Sequence, residues 1–187
     1  MALLAELGLL FAFALTVGVS ASVTLGAHLL HRRGDAPFGS ALRVALLAVG
    51  ALSLLGAVVW TLVGWSPRGP SVTPLVAVFV AFLASTVLPL TAGRYLVRRA
   101  SDADSDAALR FAAYGWPVAM LAAFGVYVAY WALAQDIYHP GNGQICVVGR
   151  CTGITVASSV TVLAGLLAAV LGTGLAGVGL RASATKR

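Results

Sequence analysis

Long uncharged apolar runs alternate along this chain with short polar stretches, and each run is long enough to cross the roughly 30 Å hydrocarbon layer of a bilayer as a helix. Five such runs occur, at residues 7–30, 44–63, 72–93, 111–134 and 154–180. They predict an all-α integral membrane protein of five transmembrane helices, a single membrane domain over residues 1–187 with an outer loop at 135–153 and a cytoplasmic tail at 181–187. Val19-Ser20-Ala21 resembles a signal-peptidase site, but Glu6 precedes the first run and His31-Arg32-Arg33 follows it, the reverse of a signal peptide's charge order. The run therefore reads as a retained helix.

The polar positions between the runs orient the helices. Arg32, Arg33, Arg43, Arg94, Arg98, Arg99, Arg110, Arg181, Lys186 and Arg187 fall in connections on one side, against only Arg68 and Arg150 on the other. Basic residues stay cytoplasmic, which predicts an outside amino terminus and an inside carboxyl terminus, here in the plasma membrane. Aromatic residues mark the same boundaries as interfacial belts: Trp60, Trp65, Tyr127, Tyr130 and Trp131 at the outer ends, Tyr95, Tyr114 and Trp116 at the inner ends. Pro89 and Pro117 lie inside the third and fourth runs, where the missing donor predicts kinks.

The first two runs and the next two carry a common pattern. Gly26-Ala27-His28, Leu30, Arg32-Arg33, Ala41-Leu42-Arg43 and Ala45 match Ala92-Gly93-Arg94, Leu96, Arg98-Arg99, Ala108-Leu109-Arg110 and Ala112, at an offset of 66 before the loop and 67 after it. Leu54 with Leu121, Val59 with Val126 and Trp60 with Tyr127 extend the match. Both hairpins run outside to inside and back, so the pattern predicts a parallel repeat about an axis along the membrane normal, with the fifth helix added.

Composition narrows the partners. A chain that is 60% hydrophobic and 10% charged needs lipid as its solvent. The net charge of +6 sits beside apolar runs rather than on a soluble aromatic-interleaved segment. It points to anionic lipid headgroups at the cytoplasmic face and away from nucleic acid. Arg outnumbers Lys eleven to one, the usage expected of a GC-rich prokaryotic source.

Few positions offer chemistry. Cys146 and Cys151 share the outer loop, with Gly149 between them, and on the oxidising side such a pair is expected to close a structural disulfide around a small hairpin. The alternative is a metal held by His139, Cys146 and Cys151, an incomplete set for a structural zinc site. Thr16, Ser20, Thr24 and His28 recur every fourth residue and share one helix face, which predicts interhelical hydrogen bonding or else the lining of a solute path. No cofactor is expected; the alternative is a haem on His28 with its second ligand from a partner chain.

The fifth run carries Gly165, Ala169, Gly172 and Gly177 within a smooth small-residue face suited to close helix packing, within the chain or against another membrane protein or a second copy. Gly172, Gly174 and Gly177 also spell G-x-G-x-x-G, but without the preceding strand a dinucleotide site needs. Asp102, Asp104 and Asp106 lack the glycine and glutamate of a calcium loop. No span has an ionisable Asp, Glu, Lys or Arg at its centre, and no metalloprotease, serine hydrolase or phosphate-loop motif is present. The sequence thus favours a non-catalytic structural or accessory subunit of a membrane complex, ahead of a carrier or channel for a small neutral solute, with a redox-associated protein third.

Overall fold

A computed structural model describes the backbone at residues 2–34, 36–63, 73–135, 138–139, 144–147 and 150–186; side chains are described at 14–34, 36–59, 75–76, 78–80, 82–126, 128–129, 164 and 167–186. The order is α1 (Ala2–Arg33), α2 (Phe38–Val63), α3 (Thr73–Phe82), a π-helical turn (Leu83–Val87), α4 (Leu88–Ser101), α5 (Ser105–Gln135), three short strands β1 (Tyr138–His139), β2 (Gln144–Val147) and β3 (Arg150–Gly153), and α6 (Ile154–Thr185). Five helices are long and apolar enough to cross a membrane, with α3, the π turn and α4 forming the third. In lipid the backbone must satisfy its own polar groups, which is why the described residues of the apolar runs are helical.

The helices at the Arg-rich end outrun the uncharged windows. α2 and α5 begin at Phe38 and Ser105 and so carry Arg43 and Arg110 near their starts, exposed, where a long stem can reach the headgroups. α5 starts cleanly because Asp104 Oδ1 accepts the Ala107 N–H at 2.6 Å, an N-cap that follows the left-handed Asp102 at φ 46° ending α4.

Four spans form a ring: α1 packs on α2, α2 on α3, α4 on α5, and α5 back on α1, while α2 and α5 meet only slightly. α6 lies outside the ring in the groove between α4 and α5. One buried cluster joins them, from Val23 and Ala27 of α1, Phe38 and Leu42 of α2, Leu90 of α4, Trp116 and Met120 of α5, and Ala169 of α6. Glycines set the closest approaches. On α2, Gly50 faces the Phe82 ring, which would stand 3.2 Å from an added Cβ.

Two local features bear on the sequence reading, one at Pro89 and one at an aromatic residue. Upstream of Pro89 the helix widens into the π turn, with the Leu88 N–H reaching Leu83 O and the buried Thr86 hydroxyl donating to Phe82 O; a proline that cannot serve the carbonyl four residues back is accommodated by one extra residue in the turn. Trp116, read as an inner-belt residue, is fully buried in the bundle core. It stands on the α5 stripe of Ala112, Ala113 and Met120, which helical spacing turns toward α1 and α6 rather than toward the interface. Tyr95 is 60% exposed.

Candidate functional site

The α1 polar face meets α5. Thr24 Oγ1 donates to Ala113 O at 2.8 Å, a buried bond between residues far apart in sequence. Its acceptor has a specific origin: Ala113 is four residues before Pro117, whose missing N–H leaves that carbonyl without its intrahelical donor. The threonine supplies what the proline withholds, and α5 stays helical from Ser105 to Gln135. One turn before Thr24, Ser20 is fully buried and donates to Val17 O of its own helix at 2.8 Å. Thr16 is half-buried and also makes an interaction.

One turn beyond Thr24, His28 Nδ1 lies 2.6 Å from the Tyr114 hydroxyl, with the two rings edge to face. Phe38 at the start of α2 packs against Tyr114 and, at right angles, against His31. His31 Nδ1 lies 3.0 Å from Ala36 O, and since a carbonyl only accepts, that nitrogen carries the proton. This aromatic cluster ties α1, α2 and α5 at the Arg-rich end.

The small-residue face of α6 lies against its own chain. Ala169, Thr173 and Gly177 are buried, and Gly172 stands opposite Ala119. At Gly115 an added Cβ would come within 2.6 Å of Thr173 O and 2.8 Å of Gly177 N; at Gly177 it would meet Val97 at 2.6 Å and Phe111 O at 3.1 Å. Gly174 approaches Leu96 as closely, so all three glycines of the G-x-G-x-x-G run serve helix packing. Gly165 lies outside the described side chains. The small residues of α6 thus meet α4 and α5.

In the outer loop β2 and β3 pair antiparallel, placing Cys146 opposite Cys151 and Val147 opposite Arg150, and β1 sets His139 opposite Gln144. Directly opposed residues on antiparallel strands stand roughly 4.5 or 5.5 Å apart at Cα, within the disulfide window of about 4.4–6.8 Å. The thiols and the His139 imidazole lie outside the described side chains. Among the described residues no group of three His, Cys, Asp or Glu could hold a metal ion.

Sequence reasoning did not find two buried, unpartnered nitrogens. The Trp116 indole Nε1, in a fully buried residue, has no hydrogen-bond partner among the described residues, and Arg181 Nη1 is buried and likewise without one. Nothing in local spacing signals either; both depend on helices brought together from distant parts of the chain. Comparison with protein-family models, with curated proteins and with solved structures finds no match, so the arrangement of side chains is what bears on function.

Proposed function

We propose that this chain is a non-catalytic, multi-pass plasma-membrane protein with a structural or accessory role in a membrane complex. The observation that carries the reading is the Thr24–Ala113 bond at 2.8 Å: the polar side chain best placed to line a path is committed to joining two helices. In this reading the amino terminus is outside, by the positive-inside count, and the hairpins α1–α2 and α4–α5 are parallel repeats. The repeat is supported by the starts of α2 and α5 at Phe38 and Ser105, and by burial of Ala41 and Ala45 like that of Ala108 and Ala112, all at an offset of 67.

Because α6 is taken up within the chain, the partner surface in this proposal is the outer loop. Cys146 and Cys151 close a disulfide across β2 and β3, giving up two protons and two electrons to an exchangeable disulfide oxidant. Purification from native membranes in a mild detergent, with a visible spectrum and mass spectrometry of what co-elutes, tests the reading. A stoichiometric membrane partner that is lost when residues 140–149 are replaced by a Gly-Ser linker is the expected outcome. A colourless monomer with no crosslinked partner overturns it.

A carrier for a small neutral solute is the second reading, favoured by one observation: the π turn with buried Thr86 lies ahead of Pro89 in the same span, and such interruptions mark functional sites in transporters. Thr86→Val and Trp116→Phe would lower flux in reconstituted vesicles under this reading, and Thr24→Val would not.

A further inference from the structure

The third span changes neighbours along its length. Its amino-terminal piece α3 packs chiefly on α2, whereas its carboxyl-terminal piece α4 packs on α5 and α6. The two pieces are also held to different degrees. α4 buries Pro89, Leu90, Gly93 and Val97, with Gly93 close against Thr173 and Ala112. Among its described side chains α3 buries none, and Val76, Phe79 and Val80 are exposed. Its contact with α2 includes the Phe82 ring, which lies over Gly50 where there is no side chain to keep the two apart. Covering a helix face gains little in a bilayer, because lipid tails are as apolar as the side chains; a helix is held by how closely it packs. By that measure α4 is fixed on two neighbours and α3 chiefly on one. Between them the π turn forms a joint. The Leu88 N–H reaches Leu83 O, and the Ser85 and Thr86 hydroxyls both donate to Phe82 O. Such π turns and hydroxyl back-bonds are places where helices bend, and Pro89 just beyond lacks the N–H that would close a regular turn.

We propose that α3 is a hinged half-helix that swings away from α2 on the π turn, with the Phe82–Gly50 contact as its latch and α4 as its fixed base. The swing exchanges α2 for lipid along α3 and opens a seam between the two helices, while α4 keeps its packing on α5 and α6. Each helix retains its own backbone hydrogen bonds, so the motion leaves no polar group bare in the hydrocarbon layer. It belongs to this chain alone and rests on neither functional reading above.

The test is pulsed electron–electron resonance on the full chain in lipid nanodiscs, with nitroxides carried on genetically encoded ketone side chains so that Cys146 and Cys151 stay untouched. One labelled pair replaces the exposed Leu52 of α2 and Val80 of α3; the reference pair replaces the exposed Tyr95 of α4 and Val118 of α5. The wild type is expected to show a second, longer distance for the α2–α3 pair beside a single distance for the α4–α5 pair. Gly50→Val puts a branched side chain where the Phe82 ring lies, and Phe82→Ala removes the ring; each is expected to make the longer α2–α3 distance the major one and to leave the α4–α5 distance unchanged. A single α2–α3 distance in the wild type, an α2–α3 distribution that the two variants leave as it was, or equal lengthening of the α4–α5 distance would each overturn the proposal. If Gly50→Val does not fold, Phe82→Ala, which only removes atoms, decides by the same criteria.

Discussion

The hairpin α1–α2 and the hairpin α4–α5 each set a glycine against an alanine, Gly26 against Ala45 and Gly93 against Ala112, where added Cβ atoms would stand 3.6 Å and 3.4 Å from the alanine methyl. Beyond that contact they diverge. The second hairpin's groove is lined by Gly93, Gly115 and Ala119 and is filled by α6, whereas on α2 the positions 67 residues before Phe111, Gly115 and Ala119 are Val44, Ala48 and Leu52, all exposed. Lipid tails are as apolar as leucine, so burying a helix face in a membrane gains little from hydrophobicity and depends on how closely backbones approach. At Gly115 and Ala119 small residues admit α6, whereas the matching Ala48 and Leu52 of α2 meet no such helix.

Substitution at matching positions gives the largest effect. Gly115→Ala puts a methyl group against the Thr173 carbonyl and the Gly177 backbone, neither of which can rotate away. We expect a loss of about 1–3 kcal/mol, the usual range for overpacking, seen as a lower Tm in detergent. Ala48→Leu, at the corresponding exposed position of α2, should leave Tm unchanged. Equal effects at the two positions would mean that α6 does not occupy the α4–α5 groove.

A subtler contrast comes from the paired glycines. Gly26→Ala meets only the Ala45 methyl at 3.6 Å and should be close to neutral. Gly93→Ala would meet Thr173 Cγ2 at 2.6 Å and should lower Tm, by less than Gly115→Ala because the obstacle is a side chain. Adding Thr173→Ser removes that methyl while keeping a hydroxyl for Ala169 O, and should restore part of the loss. No restoration would place the strain elsewhere.

Much of this was visible in the chain, and the rest was hidden for a physical reason. The five spans and the Arg-rich end follow from run length and charge. Which side of α5 faces inward does not, since all its sides are apolar and periodicity has no polar face to register; Trp116 reads as interfacial from its place near the inner end of its run, and lies in the core. The α6 glycines announced a close contact without naming the partner. Thr24 and Pro117 each stood out locally, but only the fold brings the hydroxyl of one to the carbonyl orphaned by the other.

That last pair yields the smallest effect and the most specific test. Thr24→Val keeps the side-chain shape, removes the donor to Ala113 O, and should cost about 0.6–1 kcal/mol, typical of an interhelical bond in a membrane. The cost arises because Pro117 offers that carbonyl no donor. In a Pro117→Ala background the backbone regains an N–H that can reach Ala113 O within α5, so Thr24→Val should there cost measurably less. A double-mutant cycle read by Tm or by unfolding free energy isolates the difference. If Thr24→Val costs the same in both backgrounds, the threonine holds α1 to α5 through packing alone and the proline plays no part. If the cost falls, the bond compensates for a defect in the neighbouring helix, and the α1 polar face is accounted for by assembly of the bundle without a solute path.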